Sequence, residues 1–214
     1  MSMKKLMIIV VFVCFLTASF VTRPMFADSI DVCGQSAVSI HLDSQEILRV
    51  KKLVKTGYRG NYTLNWAKEH DYKESDKVKW VNINRYESQT HYLVWVSIAY
   101  QRLNVFTGSA GNWNLDRSFI VATGKSGRDT PVGVWRLLAK KSGGWTTAAY
   151  TVKPVVNFIN EKYGFHSRLY YPDSTTVYDS RIGFPCSHGC IRMYTTDVDW
   201  FYKNVPINTT VVVY

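Results

Sequence analysis

From Tyr92 to the C-terminus the sequence is cut into short apolar, β-branched runs, and that spacing limits the available folds more than any other feature. "YLVWVSIAY", "RLNVFTG", "RSFIVATG" and "GVWRLLA" follow one another with an alternating component and glycine-containing turns between them, and the chain closes on "TTVVVY". Runs of this length bounded by turn residues are strands. One helix interrupts them: Thr195 or Thr196 caps "DVDWFYKNV", with Asp197 and Asp199 in the first turn, where the helix dipole favours negative charge. Residues 91–214 therefore read as one mainly β domain with a few short helices, with no internal repeat and no low-complexity tract.

The N-terminal part reads differently. Lys4 and Lys5 precede an apolar run from Leu6 to Val21, and Arg23 and Pro24 break it before Ala27 offers a small residue for cleavage. Residues 1–27 read as an export signal; the alternative is an uncleaved membrane anchor, for which about 20 apolar residues are needed. Residues 28–90 are rich in charge and hold one clear helix signal, Asp43 three residues before Glu46, then Ile47, Val50 and Val54 at helical spacing, with Gly57 as the stop. This is a small, partly helical extension, read as packing on the β domain. Its "VKKLVKTGYRG" faintly resembles small helical modules that bind peptidoglycan, but one helix is too little to assign that role.

Charge and cysteine content narrow the partners. The formal charge of +10 falls to +7 when residues 1–27 leave, so an exported chain of this kind is drawn to anionic surfaces, cell-wall polymers among them, and to a membrane only if the signal is uncleaved. Nucleic acid is excluded by export and by the lack of any nucleic-acid-binding motif. Cys14 leaves with the signal, so Cys33, Cys186 and Cys190 remain. An odd number of cysteines in a compartment that permits disulfides leaves at least one thiol free; whether Cys33 pairs with Cys186 stays open. Sequons at Asn61 and Asn208 matter only in a host that glycosylates exported chains.

The chemistry concentrates in "FPCSHGCIRM", residues 184–193. A cysteine acts as a nucleophile through its thiolate, and an ordinary thiol has a pKa of about 8.5, so something must activate it. A histidine can take the proton, an arginine can stabilise the anion, and backbone N–H groups beside a glycine can receive an oxyanion. Cys190 has His188 and Gly189 before it and Arg192 two residues beyond, on the same face if the segment is extended. His166, from elsewhere in the fold, is preferred as the base over His188, because a histidine on the same backbone stretch is often locked by structural hydrogen bonds. His91, His41 and His70 are poor rivals, at a strand edge and in the charged extension. Three structural readings compete. A Cys186–Cys190 disulfide needs a tight turn, since a four-residue extended spacing is roughly 13 Å against a limit of about 7 Å. Zinc held by Cys186, His188, Cys190 and His166 has suitable ligand types but an unusual spacing. The third is a buried, inert Cys190.

These residues are matched by a known family: "SHGCIRM" resembles the signature of the L,D-transpeptidases, the YkuD-type cysteine enzymes of bacterial cell walls. "ATGKSGRDTPVGVW", residues 122–135, resembles the family's second hallmark, a glycine-rich strand–turn–strand ending in Thr-Pro-x-Gly, in which Gly124 and Gly127 are free to take positive φ and Pro131 fixes the start of the next strand. The closing helix and strand are a third likeness. The resemblance implies a mixed β-sheet or sandwich domain with the cysteine in a cleft, no metal or organic cofactor, and acyl transfer on peptidoglycan stem peptides. Cys190 takes the nucleophile's place and His166 the base's. Ser187, His188 and Gly189 serve the oxyanion and orientation, the carbonyl of Ser167 orients the imidazole, and Arg192 contacts substrate. Implied products are a 3→3 cross-link, a hydrolysed tripeptide or an anchored protein amine; a non-catalytic wall-binding module and a zinc-stabilised domain are the rivals from other classes. The 24 residues from His166 to Cys190 exceed the family's common interval, a small entropic matter for a loop. Tyr170, Tyr171, Tyr178 and Phe184 crowd that loop and wall the cleft, with Tyr171 taken as substrate-binding.

Overall fold

The computed structural model describes residues 43–54, 62–172 and 174–214. The signal of residues 1–27 with Cys14, and also Cys33, His41, Gly57 and the Asn61 sequon, lie outside the described residues. Three helices lead: α1 (Ser44–Leu53), α2 (Leu64–Glu69) and α3 (Glu74–Ile83). Asp43 caps α1 as its position predicts, accepting from the Glu46 N–H at 2.7 Å. Glu46 does not reach back to complete the box; it pairs with Arg49 at 2.8 Å and with Lys79 of α3 at 2.6 Å, which ties the two helices together. α2 and α3 escape the sequence reading because charged residues break their apolar stripes, yet Thr63 caps α2 on Trp66 at 3.0 Å and Trp80 and Val81 of α3 are buried.

The strands are β1 (Tyr92–Ser97), β2 (Arg102–Ser109), β3 (Asn112–Ala122), β4 (Gly133–Arg136), β5 (Ala139–Lys141), β6 (Trp145–Thr146), β7 (Thr151–Val152), β8 (Val155–Ile159), β9 (Tyr163–His166), β10 (Leu169–Tyr170), β11 (Val177–Asp179), β12 (Ile191–Met193) and β13 (Thr210–Val213), with helix α4 (Thr195–Asn204) before the last. Nine form one curled sheet in the order β4-β13-β1-β2-β3-β12-β9-β8-β5, and four form a smaller one, β11-β10-β7-β6. The larger sheet is mixed: β1 runs parallel to β13 and β12 parallel to β9, while the other pairs are antiparallel. The mainly β fold expected from the sequence is the fold observed.

β1 shows why its sequence is almost continuously apolar. Val94 and Val96 enter one core with Val105, Phe165, Ile191, Met193 and the α4 residues Val198 and Phe201. Leu93 and Trp95, on the opposite face, enter a second core with Phe106, Trp113, Val50 of α1 and Trp80 and Val81 of α3. A strand covered on both faces has no polar side to alternate with. Trp80 stacks on Trp95 at 4.4 Å between ring centroids, and burying one side chain of this size contributes on the order of 3 kcal/mol. Helices α1 and α3 of the extension thus share a core with the sheet.

Helix α4 begins differently from the expectation. Tyr194 occupies the cap position with no side-chain bond, and Thr195 is the first helical residue, its hydroxyl bonded to that of Tyr170. Asp197 lies in the first turn and Asp199 falls beyond it. The tertiary contact with Tyr170 takes the hydroxyl that local capping would have used.

Candidate active site

Ile191 and Met193 of β12 point into the core, so the residue between them, Arg192, points to the other face. The parallel pairing with β9 sets Ile191 beside Phe165 and Arg192 beside His166. Cys190, one step before β12, shares the Arg192 face. This register brings His166, Cys190 and Arg192 to one cleft of about 440 Å³, lined also by Lys162, Cys186, Ser187 and His188. His70 and His91 lie outside that lining.

The two sequence motifs are one structure. The amides of Cys186 and Ser187 both donate to the Thr123 carbonyl, at 3.0 and 3.1 Å, the Lys125 amide donates to the Ser187 carbonyl at 3.0 Å, and Gly124 bridges Ser187 in parallel fashion. The Thr130 hydroxyl accepts from the Gly124 amide at 2.9 Å and closes the glycine-rich turn. Of the two turn glycines Gly127 takes positive φ, at +75°, and Gly124 does not; Gly124 is required for space instead, since a Cβ on it would lie 2.0 Å from the Arg128 carbonyl oxygen and 2.7 Å from the Thr130 nitrogen, both backbone. Gly124→Ala is therefore expected to cost about 3 kcal/mol, since a rigid turn cannot yield as a side chain can. The check is a thermal melt, with a fall of about 6–12 °C for a chain of this size.

Within the turn that carries the cysteine, the Ser187 hydroxyl donates to the Cys190 carbonyl at 2.6 Å and accepts from the Gly189 amide at 3.0 Å. The Gly189 N–H expected to face an oxyanion is thus engaged by Ser187. Among the described residues, the amides of His188 and Cys190 are left without a hydrogen bond. Gly189 is required for shape: its φ is +111°, and a Cβ would lie 2.6 Å from the Tyr163 ring.

His166 ends β9 and is 6 % exposed. Its Nδ1 bonds the Ser167 carbonyl oxygen at 2.6 Å, which makes Nδ1 the protonated nitrogen and leaves Nε2 with a free lone pair. Ser167 is itself fixed, donating to the Arg168 carbonyl at 2.7 Å and accepting from the Lys153 amide at 3.0 Å. The structural hydrogen bond that argued against His188 from sequence is found on His166, where it orients the ring; His188 is exposed at the cleft rim.

Burial pushes the His166 pKa down to about 4, with the Ser167 bond opposing and the Arg192 charge adding to the fall. Burial also pushes the Cys190 thiol up, against the Gly164 backbone N–H and Arg192, which favour the anion. Cys190 is half-buried and its Sγ lies 3.5 Å from the Lys162 carbonyl. Both shifts favour the uncharged thiol–imidazole pair at neutral pH. The alkylation rate of Cys190 by iodoacetamide, read by peptide mass mapping, is therefore expected to keep rising with pH beyond the ordinary thiol range; a plateau from acid to neutral pH would mean a thiolate–imidazolium pair instead. The His166 shift also has a stability consequence: its folded pKa lies below its unfolded one, so stability is lost as pH falls from 6.5 towards 4.

Arg192, 3 % exposed, does not hold a free charge. It donates to the Arg181 carbonyl at 3.2 Å and pairs with Asp179 at 3.0 Å, and Asp179 in turn takes a bidentate contact from Arg181. Burial alone would raise the Asp179 pKa, but the hydrogen bonds from Arg181 and the Arg192 charge hold it well below the usual carboxylate range. Sequence reasoning missed Asp179 and Arg181; their only signal was an Asp-x-Arg in what read as a spacer. That spacer is the β10–β11 hairpin, part of the small sheet whose Trp145, Tyr150, Val152, Leu169 and Tyr178 wall the cleft. Tyr171, expected to touch substrate, lies outside the lining, edge-on to Tyr178 at 5.2 Å between ring centroids. Tyr170 is drawn to Thr195, and Phe184 lies outside the lining.

Cys186 and Cys190 are both free thiols, so the disulfide that a tight turn would have allowed is not formed. Cys186 is buried, with its sulfur 3.9 Å from the Arg181 carbonyl. Among the described residues no group of three or more His, Cys, Asp or Glu side chains gathers closely enough to hold a metal ion.

A curled mixed sheet with a cysteine and a backbone-oriented histidine facing one aromatic-walled cleft defines a class of β-sheet catalytic domains. The profile of one family in that class, the YkuD L,D-transpeptidase catalytic domain, matches residues 91–213, and the chain belongs to this family. None of the curated proteins compared with it matches. Among solved structures, a fused Zn-dependent amidase/peptidase/peptidoglycan-binding domain-containing protein from Clostridium acetobutylicum ATCC 824 is 26% identical with a TM-score of 0.53, over 66% of this chain and 59% of that one. The chain thus spans about three fifths of that structure's length. An L,D-transpeptidase from Stackebrandtia nassauensis is 22% identical with a TM-score of 0.47, over 64% of this chain and 66% of that one. One from Mycobacterium smegmatis is 22% identical with a TM-score of 0.44, over 58% of each chain.

Proposed function

We propose that this protein is an exported peptidoglycan L,D-transpeptidase that works through a thioester on Cys190. The observation that carries the reading is that Cys190 and His166 line one cleft, with the imidazole held by Ser167 so that Nε2 is the basic nitrogen. As a stem tetrapeptide binds, the Cys190 proton passes to His166 Nε2 and sulfur attacks the carbonyl carbon of the third residue. The amides of His188 and Cys190 receive the oxyanion. Collapse breaks the amide bond; the leaving D-alanine nitrogen takes the proton from His166, and a thioester remains. A side-chain amine of a neighbouring stem then attacks the thioester and gives its proton to His166, and the Cys190 thiolate leaves and is reprotonated. The product is a 3→3 cross-link.

At neutral pH the depressed pKa of His166, about 4, leaves Nε2 unprotonated while the proton stays on Cys190, so the transfer to the imidazole has to be coupled to the attack on the carbonyl. The cell-wall setting and the basic composition favour association with anionic wall polymers, and no cofactor is required by these steps. Intact mass of the protein after incubation with a disaccharide-tetrapeptide tests the reading. The expected adduct equals the peptide minus D-alanine, discharged by an added amine. Discharge by water alone makes the enzyme an L,D-carboxypeptidase, and the absence of any adduct in folded protein overturns acyl transfer in favour of a binding module.

A further inference from the structure

We propose that Arg181 binds the C-terminal carboxylate of the donor peptide, with Asp179 as the residue that positions it. The proposal rests on the acyl-transfer reading above. Arg181 lines the same cleft as Cys190 and His166, and its side chain is 56% exposed although it is paired. The Nε lies 2.9 and 3.1 Å from the two Asp179 oxygens, and Nη2 lies 2.7 Å from one of them. Nη1 and the second Nη2 proton are bonded to nothing among the described residues, so one edge of the guanidinium is anchored and the other is free for a ligand.

The anchorage is more than a surface ion pair requires. Asp179 has only 11% of its side chain exposed and is shared with Arg192, at 4%. The Arg181 backbone is fixed as well: its N–H donates to Asp179 at 3.0 Å and its carbonyl accepts from Arg192. Leu64 and Ala67 of α2 pack against Gly183 two residues on, which backs the loop from behind. One carboxylate between two guanidiniums leaves a positive charge in excess, and Lys162 at the rim adds another. A fixed, half-free guanidinium with surplus charge recognises a planar anion in bidentate fashion. In the proposed donor, such an anion stands three bonds from the carbonyl carbon that Cys190 attacks, on the residue that leaves. Holding it fixes the carbonyl against the sulfur.

The test compares a stem tetrapeptide as the free acid and as its C-terminal amide, with the full-length protein. Wild type is expected to be acylated faster by the acid, and Arg181→Ala to lower the acid-to-amide ratio of kcat/KM by about 10- to 100-fold, the range for a lost hydrogen bond to a charged group. Arg181→Lys is expected to restore part of the ratio, and Asp179→Asn to lower it. Binding of the same two peptides to Cys190→Ala protein, with and without Arg181→Ala, reads the preference without turnover. If wild type acylates neither peptide while binding shows an Arg181-dependent preference for the acid, the acyl-transfer reading fails and the carboxylate site stands. An equal response to acid and amide in wild type, or an unchanged ratio in a folded Arg181→Ala protein, overturns the site and leaves the reaction. Should the alanine variant not fold, Arg181→Gln carries the same comparison.

Discussion

Cys190→Ala is expected to abolish acylation and turnover, a loss on the order of 10⁵-fold or more, because no other group can replace the sulfur of a covalent intermediate. Folding should be nearly untouched. Cys190 is half-buried and its sulfur makes one long contact, to the Lys162 carbonyl at 3.5 Å. The companion variant Cys186→Ala separates chemistry from packing: that thiol is buried and meets the Arg181 carbonyl at 3.9 Å, so its loss is expected to cost about 1 kcal/mol and to leave most activity in place. Rates with a tetrapeptide donor and melting curves of both variants decide the matter. Equal loss of activity from both would mean that the two sulfurs act together, and the assignment of Cys190 as sole nucleophile would fall.

The second large effect is expected at His166. His166→Gln should lower kcat/KM by about 10²- to 10⁴-fold, the contribution of a positioned general base, while tetrapeptide binding changes little. The pH profile gives an independent reading. Wild type should lose kcat/KM on the acid side as His166 protonates near its depressed pKa of about 4, and the variant should lack that limb. A variant with wild-type rates would transfer the base's role to His188, which is the other imidazole lining the cleft.

The N-terminal helices show how little of their role is written locally. The sequence marks α1 through Asp43 and its apolar spacing, and Asp43 does cap it. The destination of α3 is visible only in three dimensions, where Trp80 lies on Trp95 and Asn82 bonds the Trp113 backbone at 2.9 and 2.6 Å. Hydrophobic pattern announces that a face will be buried, but which surface covers it is a matter of chain topology.

By itself the sequence determined the strand-rich fold, the positive φ of Gly127, and the two motifs, because these depend on residue type and short spacing, whereas Gly124 keeps an ordinary φ and is required by the backbone packed against it. Only the tertiary structure decided what those motifs do to one another. The parallel register of β9 and β12 sets His166 beside Arg192, a relation between residues 26 apart that no local pattern encodes. The same holds for charge: Arg192 reads as a free cation in the sequence, and the β10–β11 hairpin folds Asp179 over it and turns it into one member of a shared ion pair. Burial, which depends on the whole packed chain, then sets the protonation of Cys190 and His166, and it leaves them as a neutral pair.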